Sequence, residues 1–168
     1  MKIAHLSDIH FFKYDLSLRS FFSKDLLATL NYLVNRSRHK VEFNIDDIPK
    51  LLKDKGATHV IITGDFTTTS NSKEYDLARN FINKLEDLGL KTLIIPGNHD
   101  SYNKKAGLSK RFYSALPTSK ELRDESIVYD DLGEGFKYIA LDTTLATPLW
   151  SSQGLFSKSL ESVSINNL

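Results

Sequence analysis

The sequence predicts an α/β domain built on a parallel sheet, on three observations. Short apolar runs at residues 2–7, 58–63 and 91–95 have the length and β-branched content of buried strands. Segments of helical character at 44–55 and 72–88 separate them, and strand, helix, strand, helix, strand with short links implies parallel pairing with right-handed crossovers. Each apolar run also stops at polar side chains: Asp8-Ile9-His10, Gly64-Asp65, and Gly97-Asn98-His99-Asp100 after Pro96. Strand ends of this kind lie on the rim of a sheet, where open α/β folds bind ligands.

The elements follow in order. Residues 2–7 read as a buried strand and 11–15 as a loop. Residues 16–34 read as a helix with one polar stripe, Ser17, Ser20, Lys24, Asn31 and Asn35, on an otherwise apolar circumference. A basic run, Arg36-Ser37-Arg38-His39-Lys40, follows. The plain reading of 16–40 is an insert packed over the sheet with a solvated loop behind it. The sharper one is peripheral contact with a membrane or an anionic ligand.

Residues 44–55 read as a helix with Asn44 as N-cap, Asp46 and Asp47 in the first turn, and Gly56 past the end. Pro49 is tolerated there only near the start. Residues 58–63 form the second strand, and Thr67-Thr68-Thr69-Ser70 a polar loop. Asn71 and Glu74 have capping-box spacing for a helix over 72–88. Leu77, Phe81, Leu85 and Leu88 are its expected apolar face, and Gly89 its stop. The third strand is 91–95. A short helix is expected near 109–116, a hairpin from 126–129 and 136–141 across Gly133-Glu134-Gly135, and a helix start at Ser157 in the tail 154–168.

Composition narrows the function classes. The length of 168 residues suits one domain, and 40% apolar with 26% charged residues suits a globular one. A net charge of +1 carries no global bias toward nucleic acid, and no basic stripe is interleaved with aromatics. The absence of cysteine excludes disulfides and thiolate chemistry. No apolar run approaches the roughly 20 residues of a membrane span, and no signal-peptide core precedes Asp8. The expected location is cytoplasmic.

The strand ends carry the chemistry. Asp8 and His10 are two apart on chain leaving a strand, and in extended chain such side chains point the same way, so both could grip one cation. Gly64 lets backbone pass close by and leaves the Asp65 carboxylate free. Asn98 offers a neutral amide oxygen. Mixed oxygen and nitrogen donors suit divalent Mn, Fe, Zn or Mg. Singly, each residue has a plain reading: Asp8 a turn residue, His10 a surface histidine, Asp65 a tight turn, Asn98-His99-Asp100 an Asn/Asp-rich turn. His5 and His59 lie inside strands and read as packed residues, His39 as solvated.

Taken in order, D-x-H, G-D and G-N-H-D after three apolar strands resemble the calcineurin-like metallophosphoesterase superfamily. The resemblance implies a β-sandwich flanked by helices and two divalent metal ions. Asp8, His10 and Asp65 would hold one metal, and Asp65 and Asn98 the other. Such a pair, roughly 3.5–4 Å apart, clamps phosphoryl oxygens and activates the attacking water. His99 would then serve as the catalytic proton donor to the leaving group, with Asp100 accepting a hydrogen bond that holds the imidazole cationic. The implied activity is hydrolysis of a phosphomonoester or phosphodiester, with a small molecule or lipid headgroup as partner rather than nucleic acid. The family's later histidine motifs have no counterpart, since no histidine follows His99. Residues 1–168 are therefore expected to be the N-terminal portion of the domain, incomplete at the C-terminus in both its second sheet and its ligand set. The competing reading is a non-catalytic, protein-binding scaffold on the same fold.

Overall fold

A computed structural model describes residues 1–13, 44–101, 110–118, 120–125 and 127–144. Strands β1 (Ile3–Leu6), β2 (His59–Thr63) and β3 (Lys91–Ile95) form one parallel sheet in the order β1-β2-β3. Ile3 lies opposite His59, and His59 opposite Lys91, so all three strands end together at the rim that carries the polar clusters. Strands β4 (Ile127–Gly133) and β5 (Phe136–Leu141) form a separate antiparallel hairpin. Its turn residues Glu134 and Gly135 have φ of +54° and +81°, the twist that suits a two-residue hairpin loop.

The expected helix at 44–55 divides in two. A 3₁₀ turn, Ile45–Asp47, precedes α1 (Ile48–Asp54). Asn44 caps the turn by accepting from the Asp46 amide at 3.2 Å. Pro49 then falls in the first turn of α1, where its missing N–H leaves no hydrogen bond unmade. Helix α2 (Ser72–Asp87) starts with the expected capping box: the Glu74 amide donates to Asn71 Oδ1 at 2.9 Å, and the Asn71 amide to Glu74 Oε2 at 3.4 Å. Its buried face differs from the one expected. Tyr75, Ala78, Phe81, Ile82 and Leu85 are buried, while Leu77 is half-buried and Leu88 exposed. The expected row and the 75/78/82/85 row are equally narrow stripes at 3.6 residues per turn, and the buried one is turned about the helix axis toward Tyr75, Ala78 and Ile82. Two short helices follow, α3 (Arg111–Ala115) and α4 (Lys120–Glu125); the sequence reading placed no element at the second.

The sheet sorts its side chains by parity. Ala4, Leu6, Val60, Ile62 and Ile94 join Phe81, Ile82, Leu85 and Phe112 in one core under the helices. The opposite face carries Ile3, Ile61, Leu93 and Ile95, which are half-buried or exposed. His59 is buried as expected of a packed residue. His5 is exposed instead, because odd-numbered β1 positions point away from the core; its Nε2 lies 2.7 Å from Thr63 Oγ1. The expected helix at 16–34, the basic run 36–40 and the tail 154–168 lie outside the described residues. No described helix is long and apolar enough to cross a membrane.

Candidate metal centre

The chain segments after β1 and β2 stay zipped together past the strand ends. The Asp8 amide donates to Gly64 O at 3.3 Å, His10 to Asp65 O at 2.8 Å, and Phe11 to Phe66 O at 2.7 Å. Within this ladder Asp8, His10 and Asp65 hold φ values of +55°, +53° and +49°. Non-glycine residues take this left-handed conformation at a cost, and such strain concentrates at functional sites. All three were singled out as metal ligands from sequence.

The left-handed turns redirect the side chains. Alternation in extended chain placed Asp8 and His10 on one side together, but neither residue is extended. Asp8 points to the rim with its side chain 64% exposed, whereas His10 is tucked in at 14%. They still meet at the edge, where His10 Nε2 lies 4.0 Å from Asp8 Oδ1. The Ser7 hydroxyl bonds the other Asp8 oxygen.

Gly64 and Gly97 let the β2 and β3 segments touch. A Cβ on Gly64 would lie 2.8 Å from Gly97 Cα, and a Cβ on Gly97 would lie 2.3 Å from both the Asp65 amide and Asp65 Oδ1. Through this approach the His99 amide donates to Asp65 Oδ1 at 2.9 Å. Asp65 Oδ2 faces His10 Nε2 at 3.8 Å.

After β3 the chain forms a 3₁₀ turn, Asn98–Ser101, which opens on the half-buried Asn98. The rings of His99 and His10 pack edge to face, with centroids 4.8 Å apart. One ligand-competent atom each from His10, Asp65 and His99 lies within 4.8 Å of the others. This group brings His99 beside the expected ligands. Asp8 stands at its edge, and Asn98 precedes His99 on the same turn.

Asp100 is placed differently from the sequence expectation. Its carboxylate is 1% exposed and accepts from Gly97 N (2.9 Å), Phe66 N (3.2 Å), Thr67 N (2.9 Å) and Thr67 Oγ1 (2.9 Å). Burial pushes its pKa up to about 6, against the pull of these donors. The acceptor beside the His99 ring is the Thr68 carbonyl, 2.9 Å from Nδ1, in the place expected for Asp100. A carbonyl only accepts, so Nδ1 carries a proton and the reactive nitrogen of His99 is Nε2.

Sequence reasoning passed over the residues that hold this turn. Ser70 Oγ donates to the His99 carbonyl at 2.6 Å, and Thr67 Oγ1 lies 3.3 Å from the same oxygen. The Tyr75 hydroxyl donates to the Asp100 carbonyl at 2.6 Å; burial, with the Asp100 charge adding, raises its pKa and keeps it a donor. The one available signal was four consecutive hydroxyl residues, Thr67 to Ser70, directly after Gly64-Asp65-Phe66. All four are buried, which a solvated loop would not be.

The donor set fits a divalent metal. Imidazole and carboxylate converge, one Asp65 oxygen is fixed by an amide while the other faces the group, and the His99 ring is oriented by a backbone carbonyl, the usual outer partner of such imidazoles. A parallel sheet with this cluster at its strand ends defines an α/β domain with a candidate metal-binding group on its rim. The calcineurin-like phosphoesterase family model matches residues 1–168, and the chain belongs to that family. No curated protein matches the chain.

Proposed function

We propose that the protein hydrolyses phosphate esters with divalent metal bound at the rim of the parallel sheet. The observation that carries this reading is the convergence of His10, Asp65 and His99, on backbone that is strained at the first two loops. Asp8, His10, Asp65 and Asn98 would hold two metals of the Mn, Fe, Zn or Mg kind. When bound, such metals neutralise the charge of the phosphoryl group and supply activated water. Asp65 is suited to the shared position, since its Oδ1 is held by the His99 amide and its Oδ2 points at His10. His99, fixed through Nδ1 by the Thr68 carbonyl, presents Nε2 to protonate the departing oxygen. Asp100 anchors the turn instead of partnering that ring.

On this reading the substrate is a small phosphate ester or a lipid headgroup, and the protein is cytoplasmic. The two sheets are the inner layers of the family sandwich. The function is tested by hydrolysis of p-nitrophenyl phosphate and bis(p-nitrophenyl) phosphate with and without Mn²⁺, alongside Mn²⁺ titration. Metal-dependent turnover of either ester is the expected result. A native protein that binds no Mn²⁺ and turns over neither ester would overturn the reading.

A further inference from the structure

We infer that Asp100 is a positioning residue: a buried carboxylate clasp that fixes the separation of the Asp65 and His99 loops and thereby sets metal affinity. The inference rests on the metal-site reading above. The two loops come from different strands, and the side chains of Asp65 and His99 link them by two bonds, the His99 amide to Asp65 Oδ1 and His99 Nδ1 to the Thr68 carbonyl, both 2.9 Å. Asp100 adds three bonds between the same loops, through the Phe66 amide, the Thr67 amide and the Thr67 hydroxyl. A fourth bond, from the Gly97 amide, closes its own turn and orients the carboxylate. Its backbone carbonyl is tied in turn to α2 by the Tyr75 hydroxyl. One residue thus joins the β2 loop, the β3 turn and a core helix.

The chemistry requires a carboxylate of this length. Three converging backbone N–H groups and a hydroxyl divide between two oxygens, two donors to each. An amide offers one oxygen, so its nitrogen would confront a buried N–H. At 1% exposure no water replaces the lost acceptor. Glutamate keeps both oxygens but moves them outward by one methylene, which pushes the loops apart. The side chain points at backbone donors rather than into the metal group, so its effect on the metal passes through Asp65 and His99.

The experiment titrates Mn²⁺ into the protein by calorimetry and records the Co²⁺ absorption spectrum, with far-ultraviolet circular dichroism as a check of folding. Asp100→Asn and Asp100→Glu are the direct variants. Thr67→Val and Tyr75→Phe are milder ones that loosen the same clasp from outside should the first pair not fold. The expected result is Mn²⁺ affinity at least tenfold weaker in each folded Asp100 variant and about threefold weaker in Thr67→Val, with altered Co²⁺ bands. Dichroism should stay native. Folded variants with lower unfolding midpoints but parental Mn²⁺ affinity and Co²⁺ spectrum would reduce Asp100 to a stabilising residue and overturn the inference alone. A parent protein that binds no Mn²⁺ would overturn the metal-site reading and the inference with it.

Discussion

Replacing Gly97 with alanine tests how closely the two loops proposed to bear metal must approach. The added Cβ would sit 2.3 Å from the Asp65 amide nitrogen and from Asp65 Oδ1, and 2.9 Å from Asp65 Cγ, where ordinary contact begins near 3.4 Å. One loop must therefore retreat by about 1 Å, since the Asp65 amide is backbone and Asp65 Oδ1, though a side-chain end, is pinned by the His99 amide. Overpacking of this kind costs about 1–3 kcal/mol. The retreat also strains the 2.9 Å bond between the His99 amide and Asp65 Oδ1, and leaving that N–H unpaired adds about 1–3 kcal/mol. The combined loss, about 2–6 kcal/mol, is a large share of a typical domain's stability. Urea unfolding at equilibrium measures it, and Mn²⁺ titration should show at least a tenfold loss of affinity. Gly56→Ala is the control: nothing lies within 4 Å of its Cβ, so only the strain of φ +78° is felt and metal affinity should not move. A Gly97→Ala protein within 1 kcal/mol of the parent and with parental metal affinity would show that the close approach is not required.

Three other outcomes follow from the same geometry. Asp65→Asn should deplete metal more completely than Asp8→Asn or Asn98→Ala, measured as metal content after dialysis; equal depletion in all three would remove Asp65 from the shared position. His99→Ala should keep its metal yet lose turnover most with poor leaving groups, since a proton donor matters least when the departing oxygen needs no proton. Loss of metal in that variant would make His99 a ligand instead. Glu74 is fully buried, and desolvation holds its pKa above the usual 4.5, so the folded state keeps the proton more tightly than the unfolded chain. Its ionisation therefore costs stability as pH rises through and above 4.5, and the cost is absent at lower pH. Glu74→Gln keeps one oxygen for the Thr69 and Asn71 amides and can turn its NH₂ to the Thr69 hydroxyl, so the difference in unfolding free energy between variant and parent should shift toward the variant with rising pH. A difference that does not change with pH would refute this.

Local signals were legible in the chain and long-range ones were not. Asn71 and Glu74 specify their capping box within four residues, and the three apolar runs name their strands without help from the rest of the protein. The convergence of His10, Asp65 and His99 was legible as strand-end residues, because strand ends in a parallel sheet come together whatever their details. Their aim was not. The direction of Asp8 depends on a left-handed turn at each of Asp8 and His10, which alternation cannot foresee. Asp100 finds its donors 33 and 34 residues upstream, so adjacency to His99 pointed to the wrong partner. The apolar face of α2 was misread by one row because Leu77 and Leu88 look the same in sequence as residues that face the core.

The ladder that continues past the ends of β1 and β2 has a mechanical consequence. His10 and Asp65 share one rung of a hydrogen-bonded ribbon, His10 N on Asp65 O, and the next rung is Phe11 N on Phe66 O. Their backbones cannot part unless those rungs first break. Opening the pocket of ligands is then a small unfolding event of the sheet's rim, with amide exchange at His10 and Phe11 as its clock.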